Sequence, residues 1–111
     1  MPDESTITLP LAELGEGTMR ACMAGERELI VCRTKSSVYA LDNICTHAFA
    51  RLSEGRLRGT RIICPLHGAS FDVRDGRVLG APATQPLTTF AARIETDRIA
   101  VSVPAAGARI S

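Results

Sequence analysis

Aromatic residues are scarce: the 111 residues include one Tyr, three Phe and no Trp. A platform on which single-stranded bases stack needs such rings, so that class of nucleic-acid binder is disfavoured. An excess of one charge sign is lacking too. Thirteen Lys and Arg face twelve Asp and Glu, for a formal net charge of +1. The basic residues are spread along the chain, and no overall field draws in a polyanion. No apolar run approaches the length needed to cross a bilayer. The opening residues, Met1-Pro2-Asp3-Glu4-Ser5, carry acids where a secretory leader carries bases, and no apolar stretch follows them. The expected setting is the cytoplasm, with neither nucleic acid nor membrane as partner. In that compartment the four cysteines read as ligands or free thiols rather than as a disulfide framework.

What is present is an ordinary globular balance, 45% hydrophobic and 23% charged, in a chain long enough for one domain, residues 1–111. The texture is all-β. Strands are expected at Ile7–Leu9, Thr18–Met23, Glu28–Cys32, Ser37–Leu41, Arg61–Cys64, Ala69–Val73, Arg77–Leu79, Thr88–Glu95 and Arg98–Val103. Turn residues separate several of them: Ala24-Gly25-Glu26, Asp75-Gly76 and Thr96-Asp97. In Ser37–Leu41 the alternation puts Val38 and Ala40 on one face and Tyr39 and Leu41 on the other. The only helical signal is a single turn at Leu11-Ala12-Glu13-Leu14. Many short strands with Gly and Pro at their junctions suggest a small sandwich or barrel. Residues 43–59 break the pattern, with no sustained period. Loops of that length are uncommon without a function or a clamp.

Both histidines of the chain sit beside cysteines, as Cys45-Thr46-His47 and Cys64-Pro65-Leu66-His67. The pattern is C-x-H-x16-C-x2-H. Each pair offers one thiolate and one imidazole from a tight loop, and two such loops facing each other could surround one centre. Three readings share these residues. The first is two unrelated loops with core thiols and exposed His. The second is a structural zinc site with two Cys and two His, in a zinc-stabilised binding module. The third is a [2Fe–2S] cluster in which two His replace two Cys on one iron.

The flanking residues separate them. Leu52-Ser53-Glu54-Gly55-Arg56-Leu57 and Gly59 follow the first pair. Gly68-Ala69-Ser70-Phe71-Asp72 extends the second, and Gly76, Val78 and Pro82 come after. In this motif detail, from about Asn43 to Pro86, the chain resembles the Rieske ferredoxin family. The resemblance implies a Rieske-like fold of stacked antiparallel sheets with an inserted cluster-binding subdomain at about residues 43–82. It implies one Rieske-type [2Fe–2S] cluster per chain, held by Cys45, His47, Cys64 and His67, with the cysteines on the inner iron and the histidines on the outer one. Backbone N–H groups in such loops can point at the sulfur atoms and offset their charge.

The departures from the family narrow the type. High-potential members carry a disulfide between the two loops, but Ala50 and Leu66 stand at those places. Their hydroxyl donors to the sulfurs correspond to Ala69 and Phe71, whose side chains cannot donate. The potential is therefore expected toward the low end of the Rieske span, roughly −150 mV. That fits a soluble ferredoxin, not itself an enzyme. It would pass single electrons from a flavin-dependent ferredoxin reductase to a terminal Rieske non-haem iron oxygenase that hydroxylates aromatic rings. No third histidine remains for a mononuclear iron site, so the chain is not read as the oxygenase. The alternative use of the same fold is the small Rieske-like subunit of a nitrite reductase. A monomer is expected.

Cys22 and Cys32 fall in strand candidates and read as buried thiols. Phe49 reads as a surface contact beside His47, with core packing as the alternative. Arg51, Arg56 and Arg58 form a local basic group, either solvated or a dock for an acidic partner. Pro82 reads as either a turn residue or a cover over the cluster, and the family resemblance favours the cover.

Overall fold

Leu29-Ile30-Val31-Cys32 is a run of four residues with no exposed surface. A strand can bury such a run only if both of its faces are covered. In the computed structural model, which describes residues 4–35, 37–46, 49–66 and 68–104, this run is the middle of β3 (Arg27–Arg33). Its alternation sends Leu29 and Val31 into one hydrophobic core and Ile30 and Cys32 into another. The neighbouring β4 (Val38–Asp42) obeys the same rule. Val38 and Ala40 join the first core, and Leu41 joins the second with Tyr39 packed against it, as the sequence pattern anticipates.

The other strands are β1 (Glu4–Pro10), β2 (Thr18–Ala24), β9 (Thr89–Glu95) and β10 (Arg98–Pro104), plus a second set of short ones, β5 (Arg56–Arg58), β6 (Arg61–Ile63), β7 (Ser70–Asp72) and β8 (Val78–Gly80). They form a six-stranded sheet in the order β1-β10-β9-β4-β3-β2 and a four-stranded sheet in the order β5-β6-β7-β8. Every pairing is antiparallel. The junction of β4 with β9 is short, Ala40↔Phe90 and Leu41↔Thr89. The two halves of the large sheet fold toward each other across it. Leu9, Ile99, Val101 and Val103 from one half meet Leu29, Val31, Val38 and Ala40 from the other.

The four-stranded sheet lies on the opposite face of β3 and β4. There Ile62, Phe71 and Val73 pack with Ile30, Cys32 and Leu41, and the same core takes in Cys45 and Cys64. Phe71 is among the largest fully buried side chains of the chain. Truncating it to Ala removes a ring from this core, a change that costs about 3–5 kcal/mol in general.

Two local features differ from the sequence expectation. Residues 43–59 are not wholly irregular, since they contain a 3₁₀ turn at Leu52–Glu54 and the strand β5. The expected helical turn before Gly15 is a 3₁₀ turn at Leu11–Glu13. Gly55 allows β5 to lie against β6: a Cβ there would stand 1.9 Å from the carbonyl oxygen of Ile63. No helix among the described residues is long and apolar enough to cross a membrane.

Candidate metal centre

Cys45 and Cys64 are 19 positions apart in sequence and share one core, 4% and 2% exposed. Each begins a loop closed in the same way. The Cys45 N–H donates to the Ala50 carbonyl at 2.9 Å, and the Cys64 N–H donates to the Ala69 carbonyl at 2.7 Å. In both, the amide of the cysteine bonds the carbonyl five positions on, which closes the base of a tight loop. Gly68 supplies the left-handed backbone that the second loop needs, with φ +74°.

The first loop is anchored further by Asn43, a fully buried polar residue. Its carbonyl accepts the Leu52 N–H at 2.7 Å and its N–H donates to the Glu28 carbonyl at 3.0 Å. Its Oδ1 accepts the Ser53 N–H at 2.8 Å, and its Nδ2 donates to Ser53 Oγ at 3.1 Å. An Ile44↔Arg51 bridge closes the base of the loop. Arg51 then holds Glu28 through two hydrogen bonds of 2.7 and 3.2 Å. That contact keeps the Glu28 carboxyl below its ordinary pKa. A third segment joins in: Thr46 Oγ1 donates to the Gln85 carbonyl at 2.7 Å, which ties the first loop to the proline segment after β8. Ala83 of that segment enters the core beside the cysteines, while Pro82 is exposed.

The thiols of Cys45 and Cys64 are close enough to influence each other. Burial pushes the Cys64 thiol up, the backbone N–H of Leu66 lowers it, and the neighbouring Cys45 raises it again. Two neighbouring buried thiols, one of them already met by an amide donor, suit a cation that binds both as thiolates. The donor set thus fits an iron–sulfur cluster, and the Leu66 amide is the sort of sulfur donor anticipated for these loops. His47 and His67, the remaining ligands expected from sequence, lie outside the described residues. Among the described residues no group of three or more His, Cys, Asp or Glu is placed to hold a metal ion.

The other sequence candidates fall in place plainly. Cys22 and Cys32 are free thiols. They project into different cores, Cys22 against the first and Cys32 within the second, so no bridge joins them. Burial pushes the Cys32 thiol up to about 12. Phe49 is fully exposed, which disposes of core packing, and Leu66 at the tip of the second loop is 45% exposed. Ala50, Ala69 and Phe71 are buried. Arg51 is engaged by Glu28, whereas Arg56 and Arg58 stand on the exposed face of β5. Asn43 and the Thr46–Gln85 link are the parts that sequence reading did not single out. Only Thr46 had a visible signal, its place between two ligand candidates.

The Rieske [2Fe–2S] domain family model matches residues 5–91. The ferredoxin component of the naphthalene 1,2-dioxygenase system of Pseudomonas aeruginosa is 41% identical over 93 residues, 84% of this chain and 89% of that protein. Among solved structures, a ferredoxin captured in a complex of reduced oxygenase and oxidised ferredoxin of carbazole 1,9a-dioxygenase is 35% identical. It superposes with a TM-score of 0.79 over 83% of this chain and 95% of its own. A putative NADH-dependent nitrite reductase small subunit from Mycobacterium tuberculosis has a TM-score of 0.78 over 97% of both chains. At 20% identity it shares the fold alone.

Proposed function

The chain belongs to the Rieske [2Fe–2S] domain family, and from that premise we propose that it is the ferredoxin of a ring-hydroxylating dioxygenase system. It accepts single electrons from a flavin-dependent ferredoxin reductase and delivers them to a terminal Rieske non-haem iron oxygenase. It performs no bond chemistry itself. Cys45, His47, Cys64 and His67 would hold the cluster within residues 43–82 of the single domain, and the cluster supplies a one-electron couple. The setting is the cytoplasm and the working form a monomer.

The observation that carries this reading is the convergence of Cys45 and Cys64, at the heads of two identically closed loops, in one buried pocket. The protein's own contribution is to bury those cysteines together and to present apolar side chains of the loops outward. The exposure of Phe49 and Leu66 supports such presentation, because apolar side chains at a tip suit brief, small contacts with successive partners. The identity to dioxygenase ferredoxins over most of both chains favours the shuttle over the nitrite reductase subunit, whose likeness is one of fold.

The test is reconstitution of electron flow. The purified holoprotein, mixed with the flavin reductase and terminal oxygenase of a naphthalene dioxygenase system, should make NADH-driven hydroxylation depend on its concentration. Cys64→Ser should abolish the effect. Hydroxylation that proceeds equally without the chain would refute the proposal.

A further inference from the structure

We infer that the outer face of the four-stranded sheet, where Arg56, Arg58 and Arg61 stand beside the second cluster loop, is the docking surface for the electron donor, which meets it with carboxylates. The inference rests on the shuttle reading above and names which partner uses this face and by what chemistry.

Residues two apart on a strand share a face. Leu57 packs inward against the core that holds the cysteines, so Arg56 and Arg58 point outward, and both are exposed. The register sets Arg58 directly opposite Arg61 across the β5–β6 hairpin, so Arg61 shares that outer face. Like charges directly opposite in an antiparallel pair destabilise it. Among the described residues none of the three arginines is in an ion pair: the salt bridges of this sheet join Arg74 and Arg77 to Asp72, and Arg77 to Asp75. Arg61 donates to a hydroxyl, Ser70 Oγ, at 3.3 Å. Charged side chains on an edge strand also stop it pairing with another chain, a need that β5 alone meets. On its other side Arg61 faces Asp72 across the β6–β7 pair, but that carboxylate is already bonded by Arg74 and Arg77. A surface that tolerates this repulsion gains most when carboxylates are laid over it.

The row also leads to the centre. An open groove of about 340 Å³ runs along Arg56, Gly55 and Ile63 to Cys64, Pro65 and Gly68, with Glu54 at its side. A partner seated on the arginines therefore reaches the second cluster loop, and exposed Leu66 stands on that same loop. The direction of electron flow selects the donor. Accepting one electron from a reduced flavin adds one negative charge to the chain beside the groove. An acidic partner then binds the oxidised chain more tightly than the reduced one, so it loads and leaves, which is what a donor must do. An acceptor built the same way would favour the spent form.

The experiment is stopped-flow reduction of the oxidised holoprotein by the flavin reductase of a naphthalene dioxygenase system, as ionic strength rises from about 0.01 M to about 0.15 M and the Debye length falls from about 30 Å to about 8 Å. Wild type is compared with Arg58→Glu/Arg61→Glu and with Arg58→Lys/Arg61→Lys. The paramagnetic resonance spectrum of each reduced variant reports that its cluster is loaded. Reduction of wild type should slow with salt. The Glu pair should react about tenfold more slowly at low salt and lose or invert the salt dependence, while the Lys pair keeps it. Delivery to the oxygenase should change far less. Equal reduction rates in wild type and the Glu pair overturn the inference, and so does a loss confined to delivery, which would make the acceptor the acidic partner. A wild-type chain that takes no electron from the reductase, or passes none to the oxygenase, refutes instead the shuttle reading.

Discussion

Asp72→Asn tests the electrostatics that brace the small sheet. Asp72 sits on β7 and is 2% exposed. Its carboxylate accepts Arg74 Nε at 3.0 Å, Arg74 Nη2 at 2.7 Å and the Arg74 N–H at 2.9 Å, with Arg77 at 3.3 Å. The Arg74 guanidinium, more than any other group, holds the carboxyl down from 3.8 to about 2. A group depressed in the folded state adds stability above its unfolded pKa and loses it as pH falls through the folded value. Here the contribution is fully present above about pH 4 and disappears toward pH 2. The shift corresponds to about 2 kcal/mol, with some screening because both guanidiniums are half exposed. Asparagine keeps an acceptor for the backbone amide but loses both ion pairs. Denaturant unfolding of the holoprotein, followed by circular dichroism, should show the variant about 2 kcal/mol less stable, with a gap that stays level from pH 8 to pH 5. A ¹³C titration of the Asp72 carboxyl should have its midpoint near 2. Equal stability at pH 7, or a gap that closes between pH 7 and pH 5, would refute the reasoning.

Three further outcomes follow from the same geometry. Gly55→Ala, which drives a methyl group into the Ile63 carbonyl, should force β5 off β6, and purified protein should hold less iron per chain than wild type. Asn43→Ala empties the anchor of the first loop and leaves the Ser53 amide without its acceptor, costing about 1–3 kcal/mol by thermal unfolding; a variant as stable as wild type would deny Asn43 that role. In the native holoprotein a thiol reagent should modify half-buried Cys22 slowly and leave Cys32 untouched until the chain unfolds, because Cys32 is buried with its pKa near 12.

Much of this was legible in the residues because alternation is a local property. The split of Val38 and Ala40 from Tyr39 and Leu41 between two cores follows from a period of two and needs no knowledge of the partners. The strand β5 escaped notice because Arg56-Leu57-Arg58 offers one apolar residue between two charges, too short a stretch to show a period. It forms because Leu57 has a core to enter and Gly55 lets the backbone pass Ile63, both facts of tertiary structure. The order of the large sheet was equally hidden, since the link from β4 to β9 rests on two residue pairs nearly 50 positions apart. At the centre, Cys45 and Cys64 stood out by their spacing from the histidines. Asn43 did not, because an asparagine ahead of a loop looks like any turn residue until its four hydrogen bonds are seen.

The central claim is that two loops close on one iron–sulfur centre, and paramagnetic resonance of the dithionite-reduced protein, taken with its iron and acid-labile sulfide content, tests it most directly. The account predicts a red-brown protein with iron and sulfide in equal amounts and an average g below that of all-cysteine clusters. A colourless protein that carries zinc and no labile sulfide would contradict it.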